Sequence, residues 1–345
     1  MGDRACLPDD DRRAAGAALG AVRPARGGAA LMATRGQSIF LIALFAILAL
    51  VPLAGSRYPL ELSVQLMIFG LFAMSLNVLI GHVGSISFGH AAFFAIGGYA
   101  CAYFQTRLGW PIYVSMPAAI GLTAVSALVI GYFCVRLTEL YFAILTLAFS
   151  MLVWAVAFKW TAVTGGGDGF VGITAPDFMS DPVLFFWFTF VVVAVSIVLL
   201  WVLSNSTMGK TFIAIRENPT RADFLGVNVR RMRLIAFVIA GAFAGIAGAL
   251  LSFYIRGMFP ESAFWTQSGQ VMIMVLLGGM HSFVGPILGA VVIYALETFI
   301  GQYTQYWPIV LGTILLLIVM FAPDGLIGIF RSIGRRLKRK GRGNA

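Results

Sequence analysis

Eight long stretches of this chain carry no charged residue: 36–56, 62–106, 108–135, 140–158, 182–209, 234–255, 262–296 and 298–323. A helix needs about 20 consecutive apolar residues to cross the roughly 30 Å hydrocarbon layer, and a charge at its centre costs about 2.5–3.5 kcal/mol on insertion scales. Six of the runs hold one crossing each. The run 62–106 has room for two, with a break near Gly81–Gly89. The run 262–296 is tight for two, which predicts short or re-entrant helices meeting near Gly278–Pro286. The expectation is about ten crossings. Spanning strands would instead show alternating segments of about ten residues, and these runs do not alternate. The predicted fold is an all-α integral membrane bundle, some of whose helices are short or broken. Composition agrees, with 60% hydrophobic and 11% charged residues against about 25% charged in soluble domains. Soluble enzymes and nucleic-acid binders are thereby excluded, and the net charge of +10 needs another explanation.

Its placement supplies one. With an even number of crossings both ends share a side, and on that side would lie the tail through Arg35, Arg136, the loop 205–233 and the tail from Arg331. Together these hold 20 of the 24 basic residues. The opposite side keeps Arg57, Arg107, Lys159 and Arg256. Lysine and arginine accumulate on the cytoplasmic side, so both termini are expected there. The chain divides into a cytoplasmic N-terminal tail 1–35, a membrane domain 36–330 with a cytoplasmic loop 204–233, and a basic tail 331–345. The first segment lacks the short apolar region and cleavage site of a secretory signal. It reads as an unstructured tail, or as residues upstream of a start at Met32. Cys6, Cys101 and Cys134 form neither a disulfide framework nor a metal-ligand spacing.

The densest local signal is Gly81-His82-Val83-Gly84-Ser85-Ile86-Ser87-Phe88-Gly89-His90. Glycine and serine weaken a helix, and broken backbone at membrane depth is tolerated only where protein buries it or water reaches it. The stretch reads as a break lining a translocation route, through Gly84, Ser85, Ser87, Gly89 and His90, or more blandly as a seam of small residues between helices. His82 and His90 have no acidic neighbour in sequence, which favours hydrogen bonding over proton relay. A second Gly-rich stretch, Gly278–Pro286, falls on the same side and suggests a parallel pseudo-repeat.

Other features have plainer readings. Thr164–Gly169 is glycine-rich, but it lacks a lysine and follows a membrane helix, so it is no phosphate cradle. Ser204–Thr211 ends like a nucleotide-binding loop, yet has Ser204 at the first glycine position and also follows a span, so nucleotide binding is rejected. Gly241, Gly245 and Ala249, and likewise Gly285 and Gly289, are small-residue stripes for close helix approach. Glu297 is a carboxylate near the outer end of its span, with a functional or a paired structural role open. Trp110, Trp160 and Trp307 suit an interfacial belt. No catalytic constellation is present.

The loop Arg216-Glu217-Asn218-Pro219-Thr220-Arg221-Ala222-Asp223-Phe224-Leu225-Gly226 encodes its own short helix. Asn218 suits the N-cap, Pro219 the first turn and Gly226 the C-terminal stop. A helix of two turns does not stand alone in water, so its own bundle or a partner must hold it. Phe224 and Leu225 are the apolar anchors, with Arg216 and Arg221 expected as orienting rim charges that cost little if lost.

In order along the chain, GHVGSISFGHAAFFAIGGY (Gly81–Tyr99), LYFAILTLAFS (Leu140–Ser150), TGGGDG (Thr164–Gly169), IRENPTRADFLG (Ile215–Gly226), AFVIAGAFAGIAGAL (Ala236–Leu250) and LLGGMHSFVGPILGA (Leu276–Ala290) resemble the LivM-type permease of branched-chain amino acid ABC importers. The resemblance covers residues 36–330. Ala222 and Gly226 match the small-residue spacing of the loop that such permeases dock into an ATPase, although Thr220 stands at that loop's acidic position. The resemblance implies a bacterial inner-membrane importer of two dissimilar permeases (the second LivH-type), two ATPases and a periplasmic binding protein. ATP would be bound and hydrolysed by the ATPases, so this chain would be neither an enzyme nor a cofactor binder. Residues 216–226 other than Thr220 and Asp223 would make the ATPase contact. Cargo would be leucine, isoleucine or valine, with urea, short amides or other amino acids as alternatives. An ion-coupled carrier or an intramembrane enzyme competes less well, since only Glu297 is a candidate coupling carboxylate and no reactive pair exists.

Overall fold

A computed structural model describes residues 35–54, 57–173 and 181–302, with positions 309, 310, 312, 313, 316, 320 and 325–328 beyond. The tails 1–34 and 329–345, with Met32 and the domain limits drawn there, lie outside the described residues, as do Trp307 and most of the last crossing.

The chain is the expected all-α bundle. Among the described residues its helices of more than one turn are α1 (Arg35–Leu50), α2 (Arg57–Asn77), α3 (His90–Thr106), α4 (Ile112–Cys134), α5 (Glu139–Lys159), α6 (Pro182–Asn205), α7 (Thr207–Glu217), α8 (Pro219–Phe224), α9 (Val229–Tyr254), α10 (Trp265–Gly278) and α11 (Gly285–Gly301). Five stretches among the described residues, against the roughly ten crossings expected, are long and apolar enough to cross a membrane: α2 with its extension to Val83, α4, α5, α6 and α9. The 14 residues of α10 reach only about 21 Å at 1.5 Å per residue, less than a bilayer core. It packs along α11, the two joined by the turn at Gly279–Val284, where the sequence predicted short helices to meet.

The core is built around α2 and α9. From Met67 to Ala73 helix α2 is apolar on every side because it is enclosed on every side, with α6, α9, α10 and α11 against the helix. Helix α9 carries the small residues that bring α3 and α4 close. A Cβ on Gly241 would meet the Ala127 methyl at 2.7 Å, and one on Gly245 would meet the Thr123 side chain at 2.8 Å. Gly248 lies directly on the backbone carbonyl of Phe94. Hydrophobicity does not drive helix association inside lipid, so this close approach supplies the contact energy.

Two loops close one end of the bundle. Phe170–Val171 (β1) and Gly257–Met258 (β2) form a two-residue antiparallel ladder, pairing Phe170 with Met258. This joins the loop after α5 to the loop after α9, both on the face that the charge count left poor in lysine and arginine. At the opposite end, α7, α8, the α2–α3 break and the α10–α11 turn come together, with Gly325 against Gly279. The chain connectivity and the contacts thus define the same two faces.

Candidate functional site

The break between α2 and α3 is a built element. Past Asn77 the helix widens into a π turn, Val78–Val83, ended by Gly84 in the left-handed region at φ 80°. Such turns are rare and concentrate at functional sites. Irregular chain follows to Gly89, and α3 starts at His90. The opened backbone donors are taken up by side chains of other helices: Phe88 N–H donates to Thr146 Oγ1 at 3.2 Å, and Ala91 N–H to Ser268 Oγ at 2.8 Å. Ser87 Oγ accepts from Gly89 N–H at 3.3 Å. Helices α5 and α10 therefore hold the break in shape.

Of the residues singled out there, Ser85, Ser87, Gly89 and His90 are buried and Gly84 is half-buried. The His90 ring stacks on Phe72, centroids 5.5 Å apart, with Nε2 2.8 Å from Ser75 Oγ. Gly89 rests on the Thr146 carbonyl with no room for a Cβ. Ile86 is the exposed side chain of the stretch. Buried Asn77 Oδ1, His82 Nε2 and His90 Nδ1 have no hydrogen-bond partner, so unpaired polar atoms gather around this break.

The second Gly-rich stretch touches the first. Asn77 Nδ2 donates to the Ser282 carbonyl at 3.3 Å, and Gln37 Nε2 to Ser282 Oγ at 2.8 Å. A Cβ on Gly81 would lie 2.6 Å from the Met280 carbonyl oxygen. The α10–α11 turn thus leans on the π turn, and α1 reaches the same turn through Gln37.

The loop after α6 holds two helices where the sequence suggested one. Helix α7 was missed. Its N-cap Ser206, whose Oγ accepts from Gly209 N–H at 3.3 Å, lies inside the stretch that mimics a nucleotide loop. Its Phe212, Ile213 and Ile215 are buried in the bundle. Helix α8 then follows after Asn218 alone. Asn218 is extended (φ −159°, ψ 100°), its Oδ1 accepting from Arg221 N–H at 2.8 Å, with Pro219 at the first helical position. Gly226, at φ 85°, turns the chain back so that Val227 N–H donates to the Ala222 carbonyl at 3.1 Å. Ala222 faces the bundle and is buried, whereas Phe224 is 87% exposed and Leu225 78%. Glu217, Pro219 and Arg221 are exposed. An open cleft of about 730 Å³ beside α8 is lined by Arg136, Asp223, Arg230 and Arg233 among others.

Arg216 departs from the expected rim role. Its guanidinium turns inward, and Nη1 donates to the Gly81 carbonyl at 2.6 Å. Its stem lies on Gly84, where a Cβ would meet Arg216 Cγ at 2.8 Å. Burial lowers its pKa from the usual guanidinium value, and the neighbouring Glu217 carboxylate opposes that shift.

A multi-pass bundle with paired Gly-rich breaks and a capped surface helix presenting bare apolar side chains has the architecture of a transport permease. The chain belongs to the family described as branched-chain amino acid transport system / permease component, which matches residues 58–322. It is 28% identical over 322 residues to the high-affinity branched-chain amino acid transport system permease protein LivM of Escherichia coli (strain K12), covering 86% of this chain and 76% of that protein. It is 29% identical to LivM of Salmonella typhimurium over the same shares. The LivH permease protein of Salmonella typhimurium is 30% identical over 125 residues, 36% of this chain and 40% of LivH. No solved structure matches the chain.

Proposed function

We propose that this chain is one permease subunit of an ATP-binding-cassette importer, forming half of a path for branched-chain amino acids across a bacterial inner membrane. Both termini and α8 would face the cytoplasm, with α8 seated in a groove of an ATPase subunit. Its partners would be a LivH-type permease, two ATPases and a periplasmic binding protein. The carrying observation is the bare pair Phe224 and Leu225 on a capped helix, at the end of the bundle where the basic residues collect. Apolar side chains of that size gain roughly 1.5–3 kcal/mol each on burial, which a groove on a partner supplies and open water does not.

The cargo assignment is supported by the names of the LivM and LivH relatives. Specificity would reside largely in the binding protein, so ligand binding to that protein should be tested with leucine, isoleucine, valine, urea and short amides. The energy source separates the importer from an ion-coupled carrier using Glu297. Leucine uptake should stop when the partner ATPase carries a hydrolysis-dead substitution and should persist with a proton uncoupler while ATP is maintained. Uptake that survives the dead ATPase and collapses with the uncoupler would overturn the proposal.

A further inference from the structure

We infer that Arg216 is the positioning residue through which movement of α8 reaches the broken end of α2, a role separate from holding the ATPase. The inference rests on the reading of α8 as the ATPase contact.

Three features of the fold carry it. Only Asn218 separates α7 from α8, so a displacement of α8 is delivered to the C-terminal end of α7, where Arg216 sits. The Gly81 carbonyl is in the last turn of a helix that ends at Gly84, where carbonyls lack intrahelical partners. A cation donating to such a carbonyl also complements the negative end of the helix dipole. The Arg216 guanidinium does this at 2.6 Å from a different helix, so it caps α2 in trans.

The element it caps differs from a regular α-helix by one residue of register. A π turn holds one residue more than the α-helical register, and relaxing it rotates everything downstream by about one residue, roughly 100° for an α-helix at 3.6 residues per turn. Downstream lie Gly84 to Gly89 and the start of α3. The α10–α11 turn rests on the same π turn through Met280 and Ser282, so both Gly-rich stretches would follow. A charge-assisted hydrogen bond suffices to bias such an equilibrium about ten- to a hundredfold. A side chain that merely filled space would need neither the donor nor the charge.

The experiment compares Arg216→Met, which keeps the stem on Gly84 and removes the donor, with Arg216→Lys, which keeps a donor and the charge. Both are made in the assembled importer, in wild-type and Ile86→Cys backgrounds. The readouts are ATPase co-purification, leucine transported per ATP hydrolysed, and the rate at which the thiol of Ile86→Cys reacts with a maleimide with and without a non-hydrolysable ATP analogue. Arg216→Met should retain the ATPase and hydrolyse ATP, transport about tenfold less leucine per ATP, and lose the nucleotide-dependent change in thiol reactivity. Arg216→Lys should restore most of both. Normal coupling in Arg216→Met, loss of the ATPase from it, or identical behaviour of the two variants would overturn the inference. Phe224→Asp keeps the underlying reading separable, because it should release the ATPase where Arg216→Met does not. If Phe224→Asp keeps both ATPase and transport, the docking reading fails whatever Arg216 does.

Discussion

Gly248→Ala should destabilise this bundle, although Gly-to-Ala in a helix ordinarily stabilises it. Alanine is favoured over glycine by about 1 kcal/mol in a helix interior. At Gly248 the added methyl would lie well inside 3.0 Å of the Phe94 carbonyl oxygen, a backbone atom that cannot swing aside. To admit it, α3 and α9 must part by on the order of 1 Å, and a gap of that size forfeits a quarter to a half of the dispersion well for every contact it opens. Overpacking of this kind typically costs about 1–3 kcal/mol and sometimes more. The α3–α9 seam is the most extensive helix contact among the described residues, which places the net loss after the propensity gain toward the upper end of about 0–2 kcal/mol. A thermal melt of the purified permease in detergent should fall by on the order of 5 °C. Gly121→Ala in α4 is the internal control, because a Cβ there meets nothing within 4 Å, and it should melt at or above the wild-type temperature. Equal melting temperatures for the two variants would refute the close-approach account of the seam.

Asn218→Ala removes the side-chain acceptor from Arg221 N–H and should cost about 0.5–2 kcal/mol locally, read as faster amide exchange in α8 with the span amides unchanged. In intact cells Thr220→Cys should resist an impermeant thiol reagent while Gly167→Cys reacts; labelling at 220 from outside would reverse the orientation. For the route itself, Gly89→Leu cannot discriminate, because Gly89 lies on the Thr146 carbonyl and bulk fails there for packing reasons alone. Ser85→Cys is the better probe: saturating leucine should slow its modification in the assembled importer, and an unchanged rate would leave the stretch a packing seam.

Five of the expected crossings were legible among the described residues, because a charge in hydrocarbon is costly enough to leave its absence written in the sequence. The α2–α3 break was legible for a related reason, since glycine and serine in the middle of a 45-residue uncharged run have no use in a straight span. The ends of α8 follow from local hydrogen bonding by Asn218 and the backbone freedom of Gly226, both properties of single residues. The inward turn of Arg216 is a different matter. A basic residue in a basic loop reads as solvated, and only the tertiary placement of α7 brings the Gly81 carbonyl within reach. Helix α7 was hidden because its apolar residues Phe212, Ile213 and Ile215 occupy less than two turns, too few for a clear period. The π turn has no residue signature at all. The β1–β2 ladder is two residues long, shorter than any alternation that a sequence can display.

The central claim is that α8 is the element that binds the ATPase, and Phe224→Asp tests it most directly. Phe224 is 87% exposed, so the substitution removes almost no contact within this chain and the detergent melt should not move. Seated in an apolar groove, the same change forfeits roughly 1.5–3 kcal/mol of burial and places a carboxylate where water is excluded. Pull-down of the ATPase with the tagged permease should fall at least about tenfold, and ATP-driven leucine uptake should fall with it. Full ATPase recovery and full uptake by a normally melting Phe224→Asp permease would contradict the account.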